Sequence, residues 1–230
     1  MQLVSYIYDY KYLVLSNEKS ANFWNVFWEW FEINHQWSKS LDFEQEFKNY
    51  VFENISSNTT YFSLLRPFYE IKIAYLFSKL AQKYFLNFSS CNTNFKILST
   101  FDKSWYWCNN CPKCAFVYII LSAFLQKEEL LKIFWKDLYN DESQTELFRS
   151  LAWISWIKPF ECVWTNEEVV YWLIKAINKY DKDEKLPYFL DIFNKEVLKK
   201  QDDYFLKNLE EKLFENDFKN TIIPTEILNK

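Results

Sequence analysis

The stretch Cys108–Cys114 reads CNNCPKC and spaces its three cysteines for metal binding, with Cys91 upstream as a fourth. Four thiolates complete a tetrahedral structural zinc site, and the C-x2-C spacing lets two sulfurs of one turn reach one ion. The Asn-Asn-Cys-Pro sequence favours a tight turn, and Cys114 at a helix start lies where the helix dipole favours a thiolate. A zinc knuckle is therefore predicted over residues 91–114, with buried or redox-active cysteines as the alternative. Its ligands are Cys91, Cys108, Cys111 and Cys114.

The composition of the 230 residues is that of a globular domain. Half of the residues are hydrophobic, a quarter are charged and the net charge is -4, which excludes a disordered chain and gives no electrostatic basis for binding nucleic acid. The longest apolar run, Cys114–Leu125, is shorter than the roughly 20 residues that span a bilayer. Met1–Lys11 lacks the pattern of a signal peptide. We expect a cytoplasmic protein with neither nucleic-acid nor membrane partners.

The chain contains no Gly and eleven Trp, whereas an average chain has about 7% Gly. Low-GC coding, indicated by the abundance of Lys, Phe, Tyr, Ile and Asn, accounts for part of this deficit. Without Gly, Asn and Asp must occupy backbone positions with positive φ. A Gly-rich phosphate loop is also excluded from this sequence, so any nucleotide site must lie elsewhere.

Hydrophobic periodicity predicts a helix-rich α/β fold. Tyr12–Leu15 reads as a buried strand that delivers Ser16–Glu18 at its C-terminal end, where α/β sheets bind ligands. A second strand is expected near residues 31–33. Helices are expected over residues 42–55, 64–84, 114–125, 127–138, 144–152 and 167–180. Ser40 or Asp42 is expected to be the N-cap of the first of these. Residues 1–180 then form the main domain, and residues 181–230 form a charged tail of two surface helices.

Three polar side chains outside the cysteine cluster are candidates for chemistry. The single His, His35, lies in the polar run Asn34–Ser40 and is either an acid–base group or a structural residue. The guanidinium of Arg66 suits a carboxylate or phosphate, unless it pairs with Glu70 one helical turn away. Cys162 follows a Lys in a loop and is either a reactive thiol or a small buried hydrophobe.

Together these motifs resemble the MurL-type epimerases over about residues 10–175. The resemblance is carried by Ser16-Asn17-Glu18-x-Ser20-Ala21-Asn22, Asn34-His35-Gln36-x-Ser38-Lys39-Ser40 before Phe43-Glu44, Phe62–Pro67 with Glu70, Ser90-Cys91-Asn92, CNNCPKC, and Lys158-Pro159-Phe160-Glu161-Cys162-Val163. It is a resemblance to the C-terminal half of such an enzyme. The cysteine spacing is also similar to that of deazaguanine synthases, which are ATP-using enzymes of a related fold.

The resemblance implies a partial Rossmann-like sheet of the nucleotide α-hydrolase type. It also implies an ATP- and Mg²⁺-dependent reaction in peptidoglycan precursor synthesis for the cell wall. In that reaction, the terminal L-glutamate of UDP-N-acetylmuramoyl-L-alanyl-L-glutamate is activated as an acyl-adenylate and inverted. Such enzymes are longer than this chain, so we expect one part of a larger or split enzyme. Its upstream N-terminal half, as a separate chain, would carry ATP binding.

Site roles follow as hypotheses. Inversion needs one proton-transfer group on each face of the reacting carbon. His35 and Cys162 are the candidates for these two groups. Lys39 is a third residue expected at the catalytic centre. Lys39 and Arg66 would bind carboxylate or phosphate groups. The other substrate-binding candidates are Asn17, Glu18, Asn22, Asn34, Gln36, Ser38, Lys158 and Glu161.

Two other functions stay open. The chain could be a deazaguanine-synthase-like enzyme, although the Asn34 and Lys158 motifs argue against it. It could instead be a non-catalytic, zinc-stabilised module, because the sequence has no phosphate loop.

Several Trp residues stand where the family pattern has Gly. Trp is poorly suited to tight loops, and the position after a helix C-terminus favours Gly. We therefore hypothesise that the native gene reads UGA as Gly and that this sequence reads it as Trp. The positions are Trp24, Trp30, Trp135, Trp153, Trp156 and Trp164.

Overall fold

A computed structural model of the chain describes residues 1–23, 26–96, 106–152, 154–155, 165–181, 183–198 and 203–229. These residues fall into two compact units. The first joins Met1–Glu70 to Phe214–Lys230, and the second is Ile71–Leu213. Strands lie in the first unit, and the regular elements described in the second are helices. The predicted helix-rich α/β class is confirmed at this level.

The first unit is built on a two-stranded parallel sheet. Strand β1 (Tyr12–Leu15) has the predicted bounds and pairs with β4 (Thr60–Ser63), with Leu13 opposite Tyr61. Helix α2 (Leu41–Asn54) begins after Ser40, one of the two predicted N-caps, whose Oγ accepts a hydrogen bond from the Phe43 amide at 3.2 Å. Helices α1 (Gln2–Ile7) and α10 (Thr225–Leu228) complete the unit.

The predicted helix over residues 64–84 is wrong in its first part. Helix α3 spans Glu70–Leu80, and a turn after β4 precedes it. Arg66 comes directly before Pro67, and a proline ring disfavours helical backbone in the residue before it. Arg66 therefore lies outside the helix and does not share a helix face with Glu70. Strand β4 is absent from the sequence-based prediction.

A short hairpin in the first unit turns through a Trp. Strands β2 (Val26–Trp28) and β3 (Phe31–Ile33) are antiparallel, and β3 is the second predicted strand. The two loop residues, Glu29 and Trp30, have φ values of 44° and 76°. Two successive positive φ angles are typical of a type I′ turn, which prefers Gly at its second position. Trp30 therefore occupies a glycine position, with 91% of its surface exposed.

The second unit is centred on helix α4 (Pro112–Ser122), which is apolar on all sides and mostly buried. Helices α5 (Lys127–Phe134), α6 (Thr145–Leu151) and α7 (Asn166–Ile177) pack against it. Between α4 and α7, the rings of Phe116 and Trp172 meet edge to face at 5.5 Å. The four predicted helices of this region are confirmed, with shifted ends.

Helices α8 (Tyr188–Glu196) and α9 (Asp203–Phe214) confirm the two helices predicted after residue 180. Each buries apolar side chains, among them Phe189 and Phe193 in α8 and Leu209 and Leu213 in α9. The domain boundary after residue 180 stays a prediction. None of the helices within the described ranges has the length and apolar character of a membrane span.

Helix α5 ends at Trp135, whose φ of 50° and ψ of 8° are left-handed. Its amide donates to the Leu131 carbonyl at 2.7 Å, a closure that Gly usually makes. Left-handed backbone costs about 1–2 kcal/mol in a residue with a Cβ. Trp107 and Trp172, in contrast, are 1% and 0% exposed. The chain thus holds Trp in two kinds of position, packed in the core and at backbone sites that suit Gly.

This difference predicts opposite effects of substitution by Gly. Trp135→Gly should raise the free energy of unfolding by about 1 kcal/mol, because left-handed backbone is relieved, and Trp30→Gly should act in the same direction. As the matched control, Trp172→Gly should lower the free energy of unfolding by more than about 3 kcal/mol, because the substitution leaves a cavity in a packed core. Urea denaturation followed by circular dichroism measures both. A similar loss of stability in Trp135→Gly and Trp172→Gly would contradict the distinction.

Candidate functional site

The four predicted metal ligands form one cluster in the second unit. Their sulfur atoms all lie within 4.8 Å of one another, with separations that include 3.5 Å for Cys111–Cys114, 3.7 Å for Cys108–Cys114 and 4.0 Å for Cys91–Cys111. A tetrahedral site with Zn–S bonds of about 2.3 Å places its sulfurs about 3.8 Å apart. The donor set therefore fits a tetrahedral zinc site with four cysteine ligands, and the predicted gathering of the four cysteines is confirmed.

The turn between the second and third ligands is anchored in the unit. Asn109 has a φ of 55°, as predicted for a turn in which Asn substitutes for Gly. Its buried Nδ2 donates to the Phe134 carbonyl at 2.5 Å, and Gln144 Nε2 donates to the Asn109 carbonyl at 2.9 Å. Cys111 is the N-cap of α4, which leaves Cys114 in the first turn as predicted. The end of α5 and the start of α6 thus fix the knuckle.

The electrostatics of the cluster favour a bound cation. The amides of Asn94 and Cys108 donate to Cys91 Sγ, both at 3.4 Å. A hydrogen bond with Cys114 lowers the pKa of Cys111 to about 4, and the same bond together with burial raises the pKa of Cys114. The shared hydrogen bond thus favours ionisation of one thiol of this pair and opposes ionisation of the other. A divalent cation removes this opposition, because it stabilises all the thiolates that bind it.

A second candidate site lies in the first unit, at the C-terminal ends of β1 and β4. The side chain of Arg66 is fully buried there. Its Nη1 donates to the Glu18 carbonyl at 2.9 Å and to Asn22 Oδ1 at 3.3 Å, and its Nη2 donates to the Lys39 carbonyl at 2.6 Å. Arg66 therefore joins two predicted site segments, the motif Ser16–Asn22 and the run Asn34–Ser40, which it contacts through two backbone carbonyls and one side-chain amide oxygen.

The charge of Arg66 is balanced by Glu44, which is also buried. Glu44 Oε2 accepts from Arg66 Nη2 at 2.8 Å, and Oε1 accepts from the Ser63 amide at 2.8 Å. Asn17 Nδ2 donates to Ser63 Oγ at 3.0 Å. Glu44 is not among the predicted site residues, although the sequence contains a signal for its burial. Glu44 precedes the buried Val51 by two helical turns and so faces the core.

The polar run after β3 is held against the same region. Asn34 Nδ2 donates to the Ala21 carbonyl at 2.8 Å, and Asn34 Oδ1 accepts from the Gln36 amide at 2.9 Å. His35 is half-buried in this loop, whereas two further candidates are exposed, Ser38 and Lys39. The structure thus gathers the predicted site residues between positions 17 and 66 in one unit.

A cavity of about 280 Å³ opens beside Arg66. Lys19 and Asp217 form an ion pair at 3.1 Å in its wall. Hydrogen bonding from Asn220 and the contact with Lys19 lower the pKa of Asp217. The lining includes two predicted substrate-binding residues, Asn22 and Arg66, so the cavity is a candidate place for a polar ligand.

The remaining predicted site residues, Lys158, Glu161 and Cys162, lie outside the described residues. Four of the Trp residues that the sequence assigns to Gly positions do so too, namely Trp24, Trp153, Trp156 and Trp164.

The fold and the cysteine cluster define a helix-rich α/β protein with a four-cysteine knuckle, and comparison with known families is more specific. Residues 87–204 match the family model of the MurL C-terminal domain, and residues 1–64 match that of the MurL N-terminal domain. The chain belongs to the MurL family. The sequence motifs alone indicate similarity to the C-terminal half of MurL-type enzymes. The match of residues 1–64 shows that the chain is also similar to the MurL N-terminal domain.

Curated relatives support the same family. The chain is 41% identical over 158 residues to a protein of Micromonospora sp., 40% over 156 residues to one of Xanthomonas oryzae pv. oryzae, and 39% over 158 residues to one of Salinispora tropica. Each is named UDP-N-acetyl-alpha-D-muramoyl-L-alanyl-L-glutamate epimerase. The matches cover 68–69% of this chain and 34% of each relative, so the chain spans about a third of their length. No solved structure matches the chain significantly.

The cysteine geometry predicts that the purified chain binds one zinc ion. Cys114→Ser should abolish stoichiometric zinc and lower the melting temperature, because a structural zinc site contributes directly to folding. The matched control is Cys162→Ser, which removes the one cysteine outside the cluster and should retain the metal. Elemental analysis and thermal denaturation provide the measurements. Zinc retained in Cys114→Ser, or absent from the unsubstituted chain, would refute the site.

The buried ion pair predicts a large and coupled effect on stability. Arg66→Met should lower the free energy of unfolding by about 3–5 kcal/mol, because it leaves the Glu44 charge buried without a partner. The double variant Arg66→Met/Glu44→Met should recover part of this loss. Arg149, the only other Arg, pairs with Glu196 near the surface at 2.8 Å, and Arg149→Met should cost less than about 1 kcal/mol. Chemical denaturation measures all four proteins, and equal losses in the two Arg variants would contradict the account.

Proposed function

We propose that this chain is one part of an ATP-dependent epimerase of peptidoglycan precursor synthesis. The enzyme would convert the terminal L-glutamate of UDP-N-acetylmuramoyl-L-alanyl-L-glutamate to D-glutamate. The observation that carries the proposal is family membership, together with 39–41% identity to relatives named as epimerases of this substrate. Because those relatives are longer, we assign the activity to a larger or split enzyme that contains this chain.

The chemistry divides between this chain and the rest of the enzyme. Inversion removes the α-proton on one face and returns a proton on the other, and a neighbouring carboxylate anion opposes its removal. Activation of that carboxylate by ATP and Mg²⁺, as an acyl-adenylate, would acidify the α-proton. The chain has no Gly and hence no Gly-rich phosphate loop. We therefore assign ATP and Mg²⁺ to polypeptide outside it, and proton transfer and substrate holding to this chain.

Two residues of the chain are proposed for proton transfer. An imidazole can both accept and return a proton near neutral pH, and the half-buried place of His35 in the Asn34 loop supports this role. Cys162 would act from the opposite face as a thiol and thiolate. Lys39 would neutralise a carboxylate or phosphate of the substrate at the catalytic centre, and its exposed side chain is consistent with that contact.

The remaining residues would hold the substrate or position those that do. Arg66 is proposed as a positioning residue, because its guanidinium already binds Glu18, Asn22, Lys39 and Glu44. Polar groups of the substrate would occupy the cavity beside it. The proposed substrate-binding residues are Asn17, Glu18, Asn22, Asn34, Gln36, Ser38, Lys158 and Glu161.

The metal and the sheet have structural roles in this proposal. Zinc at the four-cysteine cluster would be structural, because four thiolate ligands leave no open position for a substrate. Strands β1 and β4 would belong to a Rossmann-like sheet of the nucleotide α-hydrolase type. The reaction would take place in the cytoplasm, where ATP is available.

We also propose that the native protein carries Gly at positions 30 and 135, through a UGA codon read as Gly. The support is the backbone, since both Trp residues have positive φ in a turn or helix end that Gly favours. Trp107 and Trp172 fill the core and would be Trp in the native protein.

Peptide mass spectrometry of the protein from its natural source checks this assignment. Peptides that contain positions 30 and 135 should have the mass of Gly, and those that contain positions 107 and 172 should have the mass of Trp. Trp at positions 30 and 135 of the native protein would overturn the recoding proposal and leave the family assignment untouched.

The catalytic assignment is tested in a chimera in which this chain replaces the matched segment of the Micromonospora relative. With ATP, Mg²⁺ and the L-glutamate substrate, it should form the D-glutamate product, which chiral chromatography separates. His35→Asn and Cys162→Ser should each lower kcat at least about 100-fold, within the range of a lost general acid–base group. Lys132→Gln, on the exposed face of α5, should leave kcat unchanged. Full activity in both variants would refute the assigned roles, and an inactive chimera beside an active relative would count against the function.

A further inference from the structure

The parallel sheet of the first unit has one open edge. The amides of Thr60 and Leu64 donate to the carbonyls of Lys11 and Leu15, at 2.8 and 2.9 Å. In a parallel pair, alternate residues direct their backbone groups to opposite sides. The backbone groups of Leu13 therefore face β4, and those of Tyr12 and Val14 face away. Among the described residues, neither Tyr12 nor Val14 makes a backbone hydrogen bond on that side.

The opposite edge of the same sheet is closed. Ser63 is one of the β4 residues whose backbone faces away from β1, and its amide donates to Glu44 of α2 at 2.8 Å. Helix α2 packs along this strand. Within the part of the chain that the structure describes, the β4 edge of the sheet is therefore covered and the β1 edge is not.

The surface around the open edge is apolar. Val14 is 45% exposed, although parallel strands are normally covered on both faces. A groove of about 330 Å³ lies beside it, lined mainly by Met1, Val4, Tyr10, Leu13 and Val14. In α1, Leu3 and Ile7 are 70% and 63% exposed. A strand at this edge would gain backbone hydrogen bonds and bury apolar surface.

We propose that the outer edge of β1 receives a β-strand from the two thirds of the MurL sequence outside the matched segment, and that α1 and the groove cover its side chains. In the relatives that polypeptide is continuous with the matched segment, so its effective concentration at the edge is high. This favours it over a second copy of the chain. The proposal rests on family membership and on the open edge, and it does not depend on the epimerase activity.

Hydrogen exchange tests the proposal in two proteins. In this chain alone, the amide of Leu13 should exchange slowly and that of Val14 at the rate of an exposed loop, which gives an internal control in one strand. In the intact Micromonospora relative, the amides aligned with both residues should be protected by at least about 100-fold. Fast exchange at the position aligned with Val14 in the relative overturns the proposal, whatever its activity.

Variants of this chain provide the second test. The probe is the Micromonospora relative with its matched segment deleted, mixed with the full chain. Binding should slow exchange at Val14, and Val14→Pro should weaken it at least tenfold, because proline lacks the amide donor but is tolerated at a sheet edge. Val14→Thr keeps the donor and should bind as the unsubstituted chain does. Equal binding by both variants overturns the proposal. A dimer of the chain that Val14→Pro dissociates also overturns it, because the edge would then receive a second copy.

Discussion

The buried ion pair between Arg66 and Glu44 is the interaction on which the strand-end site depends. Two charges removed from water are tolerated only when their remaining hydrogen-bonding groups are also satisfied. Here the carbonyls of Glu18 and Lys39 accept from Arg66, and the Ser63 amide donates to Glu44. The requirements of one guanidinium and one carboxylate thus fix the end of β1, the polar loop after β3, helix α2 and strand β4 at one point.

The second unit depends on a different polar cluster. Four thiol groups meet at the N-terminal end of α4. The buried side-chain amide of Asn109 links the turn between Cys108 and Cys111 to the end of α5. The aromatic core continues from there, since the ring of Trp107 lies 4.9 Å from that of Phe134. Each unit is therefore organised around a polar cluster with strict geometric requirements. This accounts for the concentration of the recognisable motifs around positions 16–70 and 90–114.

Local patterns predict much of this structure. The bounds of β1, the N-cap at Ser40 and the turn Cys108–Cys114 depend on residues close to each other in sequence, and the structure confirms all three. Interactions between residues that are distant in sequence cannot be predicted from such local patterns. Glu44 lies far from Arg66 in sequence, and although its spacing from Val51 places it on the core face of α2, no local pattern identifies Arg66 as its partner.

Two other differences have local causes. The helix predicted from residue 64 fails because Pro67 excludes helical backbone at Arg66, a signal present in the sequence but outweighed by apolar periodicity. The positive φ angles of Trp30 and Trp135 could be suspected only from a family pattern with Gly, because Trp itself predicts neither a hairpin turn nor a helix end. The loop with Cys162 lies outside the described residues, so its roles stay predictions.

The proposed function requires that residues of this chain exchange the α-proton of a glutamate. Epimerisation in D₂O by the enzyme that contains this chain tests this requirement most directly. The D-glutamate product should carry deuterium at its α-carbon, detected by mass spectrometry and by loss of the α-proton NMR signal. A product that keeps protium at that carbon, or recovery of the L-glutamate substrate alone, would contradict it.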